Sequence, residues 1–88
     1  MDRRERTTIT VRRAARQAGL RVRVVRHYID VGVFDERLTE DDLVELRRVR
    51  RLMSLGINLA GAEVILRMRR RIEELEAEIA RLERLLGR

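Results

Sequence analysis

The sequence predicts an all-α protein in which a helix-turn-helix headpiece precedes a long C-terminal dimerisation helix that forms an antiparallel coiled coil. Two short helical patterns meet at a single glycine, Gly19, and seven apolar residues near the C-terminus recur at alternating steps of three and four. Residues 1–34 carry nine Arg against three acids, whereas residues 35–88 carry twelve Arg against twelve acids. The excess positive charge therefore lies in the headpiece.

These patterns divide the chain into three segments. Residues 1–8 are polar, charged and without a period, so we expect a disordered N-terminal arm. Residues 9–57 hold three helical patterns and form the headpiece, and residues 58–88 form the coiled-coil dimerisation helix. A single chain of 88 residues without Cys buries only a modest core. Oligomerisation is therefore the remaining route to further burial.

The first two predicted helices are short and meet at Gly19. The hydroxyl of Thr10 can cap the first helix, whose apolar residues follow at helical spacing: Val11, Ala14, Ala15 and Ala18. Gly19 can adopt the left-handed conformation that ends this helix at little cost. The second helix spans about residues 22–31, ends at Gly32 and carries one apolar stripe: Leu20, Val24, Tyr28 and Val31. Two helices around a tight turn are typical of a helix-turn-helix.

The second helix has a basic side and an apolar side. We expect the ring of Tyr28 to pack in the core and its hydroxyl to point outward. Val33 and Phe34 are expected to form a short extended piece that packs on the same core. The basic residues lie mostly off the apolar stripe: Arg21, Arg23, Arg26 and His27.

A third helix begins near Thr39. Thr39 is the expected N-cap, and the three acids that follow are favoured in a first turn by the helix dipole: Glu40, Asp41 and Asp42. We interpret these acids as a helix start and not as a metal site. One face of this helix is apolar: Leu43, Leu46, Val49, Leu52 and Met53. Four arginines cluster in its C-terminal half, and Gly56 ends it: Arg47, Arg48, Arg50 and Arg51.

The fourth and longest helix carries the dimerisation seam. Asn58 can cap this helix, which spans about residues 59–86. Its apolar residues recur with heptad spacing over about three heptads: Ile65, Met68, Ile72, Leu75, Ile79, Leu82 and Leu86. A helix this long overhangs a small headpiece, which disfavours the alternative that the seam packs back on its own chain.

The charges on this helix favour an antiparallel pair. A basic block, residues 67–71, directly precedes an acidic block, residues 73–78. In a parallel dimer Glu78 would lie near Glu83 of the other helix, and these like charges repel. An antiparallel dimer brings each basic block toward the other acidic block. It also matches the seam residues in pairs: Ile65 with Leu82, Ile72 with Leu75, and Ile79 with Met68.

Several classes of function are excluded by composition. The chain has one Ser, one His and no Cys, and it has neither paired carboxylates in an apolar setting nor a Gly-rich phosphate loop. We therefore expect no enzyme, no cofactor and no metal site. No apolar stretch approaches the roughly 20 residues of a membrane span, and no hydrophobic signal segment follows the charged N-terminus. A cytoplasmic protein with no membrane partner is expected.

The chain resembles the DNA-binding region of the MerR family of bacterial transcription regulators. Two stretches carry the resemblance: residues 11–34, VRRAARQAGLRVRVVRHYIDVGVF, and residues 38–66, LTEDDLVELRRVRRLMSLGINLAGAEVIL. The family has an Arg-Tyr-Tyr-Glu-like run followed by Gly-Leu-Leu. Here residues 26–29 read Arg-His-Tyr-Ile and residues 32–34 read Gly-Val-Phe. Residues 55–61, Leu-Gly-Ile-Asn-Leu-Ala-Gly, are closer to the heat-shock repressors of this family and to the related chaperone modulators.

The resemblance implies a homodimer that binds double-stranded DNA through a recognition helix, here about residues 22–31. Arg26 and Tyr28 align with family residues that contact the DNA backbone. Arg12 and Arg13 on the first helix can also reach phosphate. The predicted DNA-binding residues are Arg12, Arg13, Arg21, Arg23, Arg26, His27 and Tyr28.

One departure from the family leaves a second function open. The family carries a wing, a β-hairpin of about ten residues, between the second and third helices, whereas this chain has only residues 35–38, which are short and net acidic. The chain is therefore expected to be a short form with a reduced wing and no effector domain. The main prediction is a transcriptional regulator that acts without a ligand-sensing domain. The alternative is an adaptor, similar to the chaperone modulators, that binds a J-domain co-chaperone.

Overall fold

The computed structural model describes residues 8–87, and within them four helices follow one another: α1 (Val11–Ala18), α2 (Val22–Asp30), α3 (Glu40–Ser54) and α4 (Leu59–Leu85). No strand forms within this part of the chain; Ile9 and Leu38 make one isolated antiparallel bridge. The predicted all-α fold, with a helix-turn-helix region before a long C-terminal helix, is confirmed. The predicted disordered arm lies outside the described residues, apart from Thr8.

The predicted helix caps are present. The hydroxyl of Thr10 accepts a hydrogen bond from the Arg13 amide at 3.1 Å, and the Asn58 side chain accepts from the Gly61 amide at 2.8 Å. At the start of α3, the Asp42 carboxylate accepts from the Thr39 amide at 2.9 Å. The acids of this segment therefore serve as a helix start, because they occupy the first turn of α3.

Gly19 makes the turn between α1 and α2. Its φ of 73° is left-handed, and the next amide, that of Leu20, donates to the Ala15 carbonyl at 2.9 Å. This arrangement ends α1 and reverses the chain into Arg21, the N-cap of α2. The two helices therefore pack around a turn of three residues, which is the compact geometry expected of a helix-turn-helix.

One apolar cluster joins all four helices. The buried face of α1 consists of small residues, which lets α2 and α3 pack closely on it: Ala14, Ala15 and Ala18. The larger core side chains come from the remaining helices and from the chain between α2 and α3: Val24, Val25, Tyr28, Val33, Phe34, Leu38, Leu43, Leu46, Val49 and Leu66. Burial of this cluster is the main favourable term in folding the headpiece.

The buried face of α2 differs from the predicted stripe. Val25, which the stripe omitted, is fully buried, whereas Val31 is 38 % exposed. The helix ends at Asp30, so Val31 lies in the turn that follows and not on the helix face. The prediction that Val33 and Phe34 form an extended piece is also wrong. The amides of Val33 and Phe34 both donate to the Tyr28 carbonyl, so these buried residues form a turn.

Two opposite faces of α4 have different environments. Its first turns pack on the headpiece through Ala62 and Leu66, which are fully buried. The predicted seam begins at the half-buried Ile65, and its next five residues are 41 to 59 % exposed: Met68, Ile72, Leu75, Ile79 and Leu82. Because each residue turns an α-helix by about 100°, the seam lies roughly half a turn away from the docked face. The alternative that the seam packs on its own headpiece is therefore wrong.

The lengths and polarity of these helices also bear on membranes. Among residues 8–87, no helix combines the length and the apolar character that crossing a bilayer requires.

Candidate nucleic-acid interface

The outward side of α2 is basic. Arg23 and Arg26 are exposed and lie three residues apart, so they project from the same side of the helix. Arg21, at the N-cap, is exposed at the end of α2 that follows the tight turn. The buried face of α2 holds this side in a fixed orientation, because Val24, Val25 and Tyr28 pack into the core.

Arginines of the headpiece helices differ from those of α4 in their ion pairing. On α4, four arginines form ion pairs with glutamates: Arg67, Arg70, Arg71 and Arg81. Within residues 8–87, no ion pair forms at the exposed arginines of α1 and α2, including the N-cap: Arg12, Arg13, Arg16, Arg21, Arg23 and Arg26. These guanidinium groups therefore keep their charge and donors available for external acceptors such as phosphate.

The N-terminus of α2 has no side-chain cap. Side chains accept hydrogen bonds at the starts of α1 and α4, and Asp42 caps the start of α3. At α2 the N-cap residue is Arg21, whose side chain makes no capping bond. Within the described residues, no side chain accepts a hydrogen bond at this positive end of the helix dipole, and the exposed Arg21 and Arg23 lie at it. This is an environment in which helix N-termini favour anions.

Tyr28 occupies a different position from the one predicted. It is fully buried, and its hydroxyl donates to the Leu59 carbonyl at 2.8 Å, so the predicted outward-pointing hydroxyl is wrong. The ring packs edge-on against Phe34, with centroids 6.2 Å apart. Burial, assisted by the Glu63 carboxylate, raises the pKa of Tyr28 above its usual value of 10.0. Tyr28 therefore anchors α2 to the start of α4 and presents no group to a phosphate.

His27 also faces α4. Its Nε2 lies 4.0 Å from Glu63 Oε1, and its side chain is 39 % exposed. Its neighbour Tyr28 packs edge-on against it, with ring centroids 5.3 Å apart. The structure therefore places His27 at the edge of the basic side, one turn after Arg23, where it also contacts α4.

The first residues of the connection after α2 are held against α4. Arg67 donates to the Val31 carbonyl at 3.0 Å, and Arg70 donates to the Val33 carbonyl at 2.6 Å. Arg70 also forms two hydrogen bonds to Glu45, at 3.1 and 3.3 Å, and its guanidinium lies 5.3 Å from the centre of the Phe34 ring. These contacts fix the exit of α2 relative to the long helix.

Sequence reasoning omitted several residues of this region. Arg16 is exposed and unpaired among the described residues, and it lies three and four residues after Arg13 and Arg12 on α1. That spacing was a visible signal for one basic face. The roles of Arg67 and Arg70 had no such signal, because they depend on carbonyl groups 36 and 37 residues away in sequence.

Comparison with known families adds one finding to this geometry. Residues 9–69 match a family model described as MerR HTH family regulatory protein. The match spans α1, α2, α3 and the part of α4 that packs on the headpiece. No curated protein and no solved structure matches the chain.

Proposed function

Because the chain belongs to the MerR HTH family of regulatory proteins, which the match over residues 9–69 shows, we propose that it is a transcriptional regulator that binds duplex DNA as a homodimer. The observation that carries this proposal is the contrast in pairing between the arginines of α1 and α2 and those of α4. Unpaired arginines on one side of a helix-turn-helix are suited to neutralising phosphates, which supplies most non-specific DNA affinity.

The outward side of α2 is the proposed recognition surface. α2 enters the major groove, where Arg23 and Arg26 can reach base edges or phosphates. Arg21 and the uncapped N-terminus of α2 bind a phosphate at the edge of the groove. Arg12, Arg13 and Arg16 on α1 contact the backbone. The buried Tyr28 is left out of this set, and His27 contributes at the margin because it faces Glu63.

The exposed seam of α4 is the proposed dimer interface. Five large apolar side chains in a row are more than 40 % exposed, and they lie opposite the face that packs on the headpiece. An apolar stripe of this length favours a partner helix. The partner can therefore pack along α4 without displacing any headpiece contact.

Charge supports the antiparallel orientation of this pair. The register that matches Ile72 with Leu75 also brings Arg69 of one helix near Glu76 of the other, and Arg71 near Glu78. In the single chain Arg71 pairs with Glu74 at 3.2 Å, but both side chains are about two-thirds exposed. Such exposed pairs contribute little and can exchange partners. The charges therefore set orientation, and apolar burial holds the dimer together.

Within the family, we assign the chain to a branch similar to the heat-shock repressors, on the strength of residues 55–61. The structure gives this segment a physical role. Asn58 caps α4, and a Cβ on Gly61 would lie only 2.9 Å from Ile57 Cγ2. The segment thus makes a close turn from α3 into α4. The adaptor alternative rests on the short connection and on the likeness of residues 55–61 to the chaperone modulators, whereas the unpaired arginines favour duplex DNA.

The test of DNA binding compares two charge-matched variants over a salt series. In the first, Arg23→Gln and Arg26→Gln remove two charges from α2; in the second, Arg81→Gln and Arg84→Gln remove two from the solvent side of α4. Fluorescence anisotropy with the gene's own upstream duplex should show at least about a tenfold loss of affinity for the α2 variant only, since each Arg–guanine pair contributes about 1–3 kcal/mol. Failure of the unsubstituted protein to bind any duplex at low salt would overturn the proposal.

The orientation of the dimer can be tested with engineered cysteines, because the chain has none of its own. The antiparallel register places Ile65 opposite Leu82. Under mild oxidation the double variant Ile65→Cys, Leu82→Cys should form covalent dimers, whereas each single variant should not. Covalent dimers from the single variants would instead demonstrate a parallel pair.

A further inference from the structure

α3 carries a second group of unpaired arginines. Arg47, Arg50 and Arg51 are exposed, and no ion pair involves them within the described residues. Their spacing along α3 places all three on one side of the helix, and Arg50 follows the buried Leu46 by one turn, at the edge of the core. This strip is therefore a concentrated positive surface that no acid of residues 8–87 neutralises.

Arg50 connects this strip with the turn of the helix-turn-helix. A Cβ on Gly19 would lie 3.3 Å from Arg50 Nε and 3.7 Å from Arg50 Cδ, so the side chain of Arg50 passes directly beside the turn. Its Nη1 donates to the Ser54 hydroxyl, which in turn donates to the Arg50 carbonyl at 3.0 Å. The side chain of Arg50 thus lies beside Gly19, which precedes Arg21, the N-cap of α2, by two residues in the sequence.

From these contacts we propose that Arg47 and Arg50 of α3 bind DNA backbone phosphates beside the helix-turn-helix turn. The inference rests on the proposed function, since it extends the surface that α1 and α2 present to the duplex. Arg50 is adjacent to the end of α2 that enters the groove, and Arg47 continues the strip by one turn of α3. The acidic connection of residues 35–38 offers no comparable charge, so α3 supplies the additional phosphate contacts.

Backbone contacts of this kind have a distinct signature. Phosphate contacts position a protein on the duplex but carry no direct sequence information. Loss of Arg47 and Arg50 should therefore weaken binding to all duplexes by similar factors, and the preference between two sequences should stay the same. Each lost phosphate contact should also lower the slope of log K against log salt concentration by about 0.9.

The experiment measures anisotropy with two duplexes, the upstream sequence and a scrambled one, over a salt series. The variant Arg47→Gln, Arg50→Gln is compared with Arg81→Gln, Arg84→Gln, which removes the same charge from the far half of α4. Circular dichroism at the binding temperature confirms that both variants are folded. Because Arg50 also contacts Ser54, the single variant Arg47→Gln provides a measurement that leaves that contact intact.

The outcomes separate this inference from the proposed function. The expected result is a smaller salt slope and weaker binding to both duplexes for the α3 variants, with no change for the α4 variant. A salt slope equal to that of the unsubstituted protein in the α3 variants would overturn the inference and leave the DNA-binding function standing. A protein that binds neither duplex at low salt would overturn both. Loss of preference for the upstream sequence in the α3 variants would show base contacts in place of phosphate contacts and would also overturn the inference.

Discussion

Tyr28 lies at a position where the sequence predicts a ligand contact, but its side chain stabilises the fold instead. Its position in the sequence suggested a phosphate contact, but its hydroxyl donates a hydrogen bond to the Leu59 carbonyl. That carbonyl lies 31 residues away in sequence, so no local pattern reveals the bond. The contact ties α2 to the start of α4 and therefore matters for the orientation of α2.

The raised pKa of Tyr28 gives a prediction about alkaline stability. The native state holds the phenolic proton more tightly than the unfolded chain, so the free energy of unfolding should be constant in pH up to about 10 and decrease as pH rises further. The chain has one Tyr and no Trp, so absorbance at 295 nm can follow this group alone, and it has no Lys that would titrate in the same pH range. The variant Tyr28→Phe should lose this pH dependence and about 1 kcal/mol of stability at neutral pH. A native Tyr28 that titrates at or below pH 10 would contradict the buried hydroxyl.

Arg70 provides a second prediction at this scale. Its side chain is two-thirds buried. The guanidinium forms an ion pair with the Glu45 carboxylate, donates to the Val33 carbonyl and lies over the Phe34 ring. Arg70→Ala leaves Glu45 and a carbonyl without their partner, so it should cost about 1–3 kcal/mol of unfolding free energy in urea titrations. Arg84→Ala, at the exposed end of α4, serves as the control and should change stability by less than about 0.5 kcal/mol. If both changes lower the free energy of unfolding by the same amount, the contacts of Arg70 do not stabilise the fold.

Among the elements, α4 is the one whose two faces have separate partners. Its docked face was not visible in the sequence, because Ala62 and Leu66 lie outside the heptad pattern and carry no charge signal. Its seam was visible, because apolar residues at steps of three and four are a local pattern. The headpiece core consequently extends past the end of α3 into the first turns of α4.

The seam yields a prediction about assembly. Leu75→Arg introduces a charge at the centre of the exposed stripe, where it touches no core residue of the headpiece. Sedimentation equilibrium should show a monomer for this variant and a dimer for the unsubstituted chain, with the melting temperature of the latter rising with concentration. Substituting Glu74→Arg on the solvent side provides the matched control, which should still dimerise. Dimers that persist in the Leu75 variant would place the interface elsewhere.

For the whole molecule, the sequence predicted the order of the helices, their caps and the location of the excess charge, because each is a local property. Thr10, Thr39 and Asn58 occupy the N-cap positions that they were expected to occupy. The contacts that join α2 to α4 were not predictable, since they depend on how the helices meet. The same distinction applies to the basic residues. The exposure of Arg23 and Arg26 could be predicted from the helix period, whereas the position of Arg50 beside Gly19 could not, because it depends on how the helices pack.

The headpiece and the seam lie on opposite faces of α4, so the length of this helix determines the distance between the two headpieces of the proposed dimer. The docked residues centre near position 64 and the antiparallel pair is symmetric between Ile72 and Leu75, so at 1.5 Å per residue the two headpieces lie about 28 Å apart along the axis. That distance is close to one turn of duplex, about 34 Å. A heptad inserted after Leu66 would lengthen the separation by about 21 Å. The operator with the best affinity should then have half-sites about six base pairs further apart, so the length of one helix would set the spacing of the sequence that the regulator selects.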